Sequence, residues 1–463
     1  MIPLSLAQIA EITGATLDRA PDPHALVTGP VVIDSREAKP DGLFAALPGE
    51  RVDGHDFAGA AVAAGAVAVL ASRPAGVPAL VVPDVQAALA LLARAVIDRL
   101  PGLTIAAITG SSGKTTTKDL LAQVAERLGP TVAPAGSFNN ELGHPLTVLR
   151  ADDRTRYLVL ELGARGRGHI ARLCAIAPPR LGAVLNVGRA HVGGYFADQA
   201  EVAQAKGELV EALPADGVAV LNADDSAVIR MTSRTAARVI TFGRAGQADV
   251  RAADVTMDAA GRASFTLVTP VGTAPVRLNL RGEHNVSNAL AAAALAGALG
   301  MTPADAASAL SAAVARSKGR MDVMRRPDGV QVINDAYNAN PESMRAALSA
   351  LASMANGGRA FAVLGQMAEL GGNSQAWHEE VGAFAARAGV SGLVIVGEQA
   401  APMLAGARSV PGWRGELLHV PDGPAAAAAL AGRIRPGDTV LVKASRAVAL
   451  WEVAFALASE GTA

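Results

Sequence analysis

At 463 residues, 51% of them hydrophobic and 18% charged, the chain exceeds what one core organises, and three domains are expected. A formal net charge of -1 with dispersed Lys and Arg excludes the footprint of a general nucleic-acid binder, and apolar runs broken by charge or built of small residues, as at 289–299, exclude a membrane span. Cys174 has no second cysteine to pair with, and no basic leader precedes Glu11, so no secretory signal is expected and the reading is a cytoplasmic, reducing setting.

Residues 1–103 mix short apolar runs, 67–70 and 80–82, with Pro and Gly turns, and read as a small α/β unit closed by Pro101-Gly102. A second unit, 104–316, opens on an apolar strand candidate at 104–108, passes through a glycine turn and continues in helical periodicity over 118–128. Buried-strand candidates at 157–160, 183–186 and 217–221 follow at helix-length spacing, the pattern of a parallel sheet. Beyond an Ala-rich helix near 304–315, a second alternating series at 331–334, 360–364, 393–396 and 439–442 predicts a Rossmann-like α/β domain over 317–463. The expected fold class is therefore α/β in three domains, the central sheet mostly parallel.

The run Thr109-Gly110-Ser111-Ser112-Gly113-Lys114-Thr115-Thr116 joins strand to helix, with glycines where backbone N–H groups must turn inward around oxyanions. Lys114 would neutralise terminal phosphates of ATP and the Thr115 hydroxyl would ligate Mg²⁺, which makes Gly110 through Thr116 the candidate nucleotide loop. The general phosphate-loop pattern wants a glycine where Ile108 stands, and a plain Gly-Ser turn capping a helix is the alternative.

The block 109–118 resembles the phosphate loop of the Mur ligases, the ATP-dependent amide-forming enzymes of peptidoglycan synthesis, and of the related folylpolyglutamate synthases, which share the shortened glycine spacing. The resemblance covers nearly the whole chain. Tyr337-Asn338-Ala339-Asn340-Pro341 resembles the branch that adds D-alanyl-D-alanine to UDP-N-acetylmuramoyl-tripeptide. The diaminopimelate- or lysine-adding branch has an Asp-Asn-Pro-Arg type motif there, whereas here Glu342 follows Pro341. The N-terminus also lacks the dinucleotide-fold glycine signature of the muramoyl-alanine and D-glutamate-adding branches. Two positions depart from the branch pattern: Asn334-Asp335 replaces the frequent paired aspartates, and Ala444 stands where glycine is usual.

The resemblance implies roles that the residues alone do not. Glu161, ending the strand at 157–160, would share a first Mg²⁺ with Thr115; His191 would hold a second, supported by Lys206 carbamylated by CO₂, a reaction that needs a neutral amine and so a depressed pKa. Read without the family, His191 is a solvated loop side chain and Lys206 a surface lysine on a helix. Asn285 and Asn288, one face of a helix, would contact adenine, Asp335 the ribose, and Arg320 the γ-phosphate when the domains close. Ser35 and Arg36, with 49–56, would bind the UDP precursor, although Asp53-Gly54 is equally a turn. Asn139 and Asn140 would meet the sugar-peptide, and Asn338 and Asn340, with 365–371 and 443–446, the incoming dipeptide. Lys114, Lys206, His191 and Arg320 form the implied catalytic set. The implied enzyme is a monomer joining UDP-N-acetylmuramoyl-tripeptide to D-alanyl-D-alanine through an acyl phosphate, with no nucleic-acid partner and no membrane insertion. Another Mur-type amino-acid ligase, or a phosphate-loop ATPase or kinase, stays open.

Overall fold

The structure, a computed structural model, describes residues 1–49, 52–189 and 192–459, and the counts below refer to these. Among the described residues the largest sheet has nine strands in the order Gly272–Arg281, Arg262–Thr269, Val250–Met257, Arg238–Gly243, Val218–Asn222, Leu181–Val184, Thr104–Thr109, Tyr157–Glu161 and Thr131–Val132. Thr104–Thr109 reads TIAAIT and is buried from its second residue on, as a strand covered on both faces must be. It pairs in parallel with Tyr157–Glu161 on one side and Leu181–Val184 on the other, Ile108 facing Glu161 and Thr109 facing Val184. Three strand ends therefore open onto one edge, where ligands of parallel sheets gather.

The helix Lys114–Ala125 starts at Lys114, earlier than the predicted 118. Its first turn is Lys-Thr-Thr-Thr, which has no apolar periodicity to read, and its start is set by Gly113 in the left-handed region at φ 79°. Against it packs the Ala-rich helix His284–Ala298, whose small buried side chains from Ala289 to Ala296 allow a close approach.

A five-stranded N-terminal sheet is ordered Thr16–Asp18, Ala79–Val81, Ala68–Ala71, Leu43–Ala45 and Val31–Val32. Its apolar core runs on into one face of the central sheet through the helix Val85–Asp98. The C-terminal sheet is ordered Asp322–Arg325, Gln331–Asn334, Thr439–Lys443, Ala360–Leu364, Gly392–Val396 and Glu416–Val420, with Asp322–Arg325 alone antiparallel. Thr439–Lys443 returns between Gln331–Asn334 and Ala360–Leu364, which creates a crevice at their carboxyl ends. This sheet has its own apolar clusters on its two faces. The architecture is α/β in three domains with mostly parallel sheets, as the sequence pattern predicts.

Candidate active site

The phosphate loop leaves the strand at Gly110, and its helix begins without a side-chain cap, so the first-turn N–H groups are left for a ligand. A Cβ at Gly113 would collide with Asn288 Oδ1, so glycine is required by contact as well as by φ. The Lys114 ammonium donates to Gly110 O at 2.8 Å, curling back over the loop. Desolvation holds its pKa below the ordinary lysine value, helped by Arg320 and opposed by Glu161. The Thr115 hydroxyl lies 2.9 Å from Ser137 Oγ, and Arg320 Nη2 donates to both hydroxyls at 3.4 Å. Thr116, Ser111 and Ser112 complete the loop's lining of a cleft of about 660 Å³.

Beside the loop, Glu161 is 1% exposed at the end of its strand. Asn139 Nδ2 donates to its Oε1 at 2.6 Å, whereas Oε2 is buried with no partner among the described residues. A carboxylate oxygen in that state is costly unless a cation completes it. Lys206 is 5% exposed, lines the same cleft and has no hydrogen-bond or ion-pair partner among the described residues. Burial drives its pKa well below the ordinary lysine range, and the charge of Lys114 adds to that. No three His, Cys, Asp or Glu side chains gather as a metal cluster among the described residues. His191 lies outside the described residues, as do Glu50 and Arg51.

On the far side of the loop, Asn288 Nδ2 donates to Asn285 Oδ1 at 2.8 Å, Asn285 Nδ2 to Arg281 O at 2.7 Å, and Thr117 Oγ1 to Asn288 Oδ1 at 3.4 Å. Both asparagines line the cleft, and Asn288 ties their helix to the first turn of the helix that follows the loop. Asp335 accepts from the buried Lys443 ammonium at 2.6 Å and from Met321 N at 3.2 Å. Burial lowers the Lys443 pKa against the opposing pull of Asp335, with Arg320 adding to the lowering. Arg320 stacks over the Tyr337 ring at 4.5 Å, with Arg446 over the same ring at 5.4 Å.

Two asparagine pairs divide their work. Asn139 holds Glu161, while Asn140 Oδ1 accepts from Gly143 N at 2.9 Å. Asn338 is exposed to the cleft, but Asn340 caps the helix Pro341–Met354 through Ser343 N at 2.8 Å and reaches Ser111 O at 3.4 Å. The amide of Asn340 is thus engaged in bridging the C-terminal unit to the phosphate loop. Ser35 and Arg36 are not among the cleft residues, and Arg36 folds onto Asp34 at 2.6 Å. Asp53 caps the turn Gly54–Phe57, as its Asp-Gly reading allows, and is held by His55 and Arg73.

Sequence reasoning passed over Asn186, whose Oδ1 accepts from Ser111 N and Ser112 N at 2.9 Å each. It also passed over Asp119, which accepts from Ser317 N at 3.0 Å and pairs with buried Lys118. A polar pair inside an otherwise buried helix face, Lys118-Asp119, was the available signal for the second. The first had none beyond its place after a strand.

Three family descriptions match the chain: "Mur ligase family, catalytic domain" over 30–99, "Mur ligase middle domain" over 108–296 and "Mur ligase, glutamate ligase domain" over 319–446. The chain is similar throughout to the UDP-N-acetylmuramoyl-tripeptide--D-alanyl-D-alanine ligase of Mycobacterium bovis, 51% identical over 505 residues that span 100% of this chain and 99% of the relative. Among solved structures it resembles MurF from Acinetobacter baumannii, with a TM-score of 0.88, 32% identity and 99% of each chain covered. It also resembles MurF ligase from Thermotoga maritima in complex with ADP, with a TM-score of 0.78, 30% identity, and 94% of this chain and 98% of that one covered.

Proposed function

The chain belongs to the Mur ligase family, and from that membership we propose that it joins D-alanyl-D-alanine to UDP-N-acetylmuramoyl-tripeptide in peptidoglycan precursor synthesis, using ATP and releasing ADP and phosphate. The observation that carries this reading is the convergence, in one cleft, of a phosphate loop, the carboxylate of Glu161 and the amine of Lys206, neither fully partnered among the described residues, and an arginine arriving from the C-terminal unit.

The tripeptide carboxylate attacks the γ-phosphorus, the bond to the β-phosphate oxygen breaks, and ADP leaves behind an acyl phosphate. The dipeptide amine then forms the C–N bond as phosphate departs. Two anions must meet in the first step, so the chain's task is to cancel charge and fix orientation. Lys114, Arg320 and the first-turn N–H groups face the phosphates. The Glu161 Oε2 and the Thr115 hydroxyl fit a Mg²⁺ ion, with His191 the candidate for a second. An ion held there would supply further charge cancellation. Carbamylation of Lys206 is supported by its burial, free amine and lowered pKa, which favour the neutral nucleophile that CO₂ requires.

Residues 1–103 are assigned to the UDP-linked end through Ser35 and Arg36, residues 104–316 to ATP and the tripeptide end through Asn139 and Asn140, and residues 317–463 to the dipeptide through Asn338. Asn285, Asn288 and Asp335 are assigned to the adenosine. The enzyme is assigned as a cytoplasmic monomer; no helix among the described residues is long and apolar enough to cross a membrane. The test is phosphate release measured with each substrate omitted in turn. Ligation requires ATP, tripeptide and dipeptide together, whereas a kinase or uncoupled ATPase releases ADP without the dipeptide.

A further inference from the structure

Ile108 occupies the position where a general phosphate loop carries its first glycine, so the turn at 110–113 lacks part of the usual flexibility. The neighbouring chain at 185–189 compensates. Main-chain pairing with the chain after Leu181–Val184 runs past Thr109, where Leu185 N donates to Thr109 O at 2.9 Å, to Ser111, whose N donates to the main-chain O of Asn186 at 3.1 Å. Beside that bond the Asn186 carboxamide extends the pairing to Ser112 as a peptide group would. Its Oδ1 accepts from Ser111 N and Ser112 N at 2.9 Å, and its Nδ2 donates to Ser112 O at 3.1 Å. Gly188 N closes the same contact by donating to Ser111 Oγ at 2.9 Å.

The segment carrying Asn186 is fixed from several directions. Asn222 holds Leu185 O at 2.8 Å, Asp225 holds Val187 N at 2.8 Å, Gln199 holds Val187 O at 2.5 Å, and Glu342 holds Arg189 N at 3.2 Å. A side chain mounted on so constrained a backbone acts as a strut, not as a gate. It also takes up the Ser112 N–H, which would otherwise be free for an oxyanion, and shares the Ser111 N–H with its own main-chain O.

We propose that Asn186 is a positioning residue for the nucleotide: it sets the tip of the shortened phosphate loop, so that phosphate binding falls to Lys114 and the N–H groups of the helix's first turn. The inference rests on the reading of this cleft as the ATP site. Asn is the side chain suited to the role, because it offers an acceptor and a donor on one rigid plane. Alanine releases Ser112 at the loop tip and leaves Ser111 N on the main-chain O of residue 186; aspartate keeps the shape and the acceptor but loses the donor to Ser112 O and adds a negative charge beside the phosphates.

The test is calorimetric binding of Mg·ADP to the full chain, with steady-state kinetics and the nucleotide-free melting temperature measured alongside. Asn186→Ala is expected to weaken ADP binding and raise the ATP KM by about 10- to 100-fold, with the dipeptide KM and the melting temperature near wild type. Asn186→Asp, which is isosteric, should bind ADP more weakly still. ADP affinity of Asn186→Ala within about threefold of wild type, or Asn186→Asp binding more tightly than Asn186→Ala, overturns the proposal. So does a failure of both variants to fold, which would make Asn186 a folding strut. If the unaltered chain binds no ADP, the reading of the site itself is what fails.

Discussion

Lys206 is the residue whose surroundings say most about chemistry. A lysine that is 5% exposed, without a counter-ion among the described residues, sheds its proton far more readily than one in water. Lys206→Ala should therefore lower ligation by about a thousandfold, the scale of a lost charge-stabilising group, with a short aliphatic carboxylate restoring part of the rate if a carbamate is what is missing. Rescue by methylamine in place of acetate would contradict the carbamate role. Gly113 is constrained in a different way. Its φ of 79° and the nearby Asn288 Oδ1 leave no room for a Cβ. Gly113→Ala should cost about 1–3 kcal/mol of stability and displace the loop, read as a lower melting temperature together with weaker ADP binding.

At the scale of elements, loops that line the cleft are held by side chains behind them. The loop after Ala360–Leu364 is pinned by the fully buried His378, whose Nε2 accepts from Met367 N at 3.0 Å while Nδ1 lies 2.7 Å from Ser374 O. Ser445 Oγ accepts from Ala368 N at 2.8 Å on the other flank. His378→Phe keeps the bulk but loses the acceptor, and the dipeptide KM should rise about tenfold with the ATP KM unchanged. A parallel rise in both constants would mean a general loosening instead.

The same scale explains what the sequence made legible. The phosphate loop could be read because strand, glycines and helix are consecutive in the chain, so local chemistry carries the whole signal. The parallel strands were readable as continuous apolar runs, with ends shifted by a residue or two, as at Leu181–Val184. The antiparallel strands Val250–Met257, Arg262–Thr269 and Gly272–Arg281 were not read. They are half-buried and polar on one face, and their signal is the alternation seen clearly in the last, where buried residues recur at every second position. Pairings such as Asn139 with Glu161, or Asn186 with Ser111, join segments distant in sequence, and nothing local encodes them.

For the whole molecule, the N-terminal and central units share one apolar core, whereas the C-terminal unit has its own. Its contacts with the central unit are largely polar: Arg320 on Thr115, Asn340 on Ser111, and Arg189 over the Trp377 ring at 4.1 Å. Such an interface opens more readily than a shared core. The connecting chain is clamped to the phosphate-loop helix by Gln123 on Val314 and Arg316 on Glu126, and it enters the C-terminal unit at Met321, whose N donates to Asp335 at 3.2 Å. Stability should also fall in acid. Burial pushes the His144 pKa down to about 4, offset in part by the Leu173 backbone, so the folded state keeps the ring neutral. The unfolded chain binds that proton near pH 6.5, so the stabilisation is fully present above about 6.5 and is lost as pH falls toward 4, to a total of roughly 3 kcal/mol. Melting temperatures between those limits should fall less steeply in His144→Leu than in the unaltered chain; equal slopes would contradict the assignment.

The central claim, that this cleft forms an amide bond at the expense of ATP, is tested most directly by the mass of the product made from ATP, Mg²⁺, D-alanyl-D-alanine and UDP-N-acetylmuramoyl tripeptides carrying either diaminopimelate or lysine. The prediction is a species equal to tripeptide plus dipeptide less one water, formed only when ATP is present. Folded protein that yields no such species from either tripeptide, or that accumulates a stable phosphorylated substrate, would contradict it.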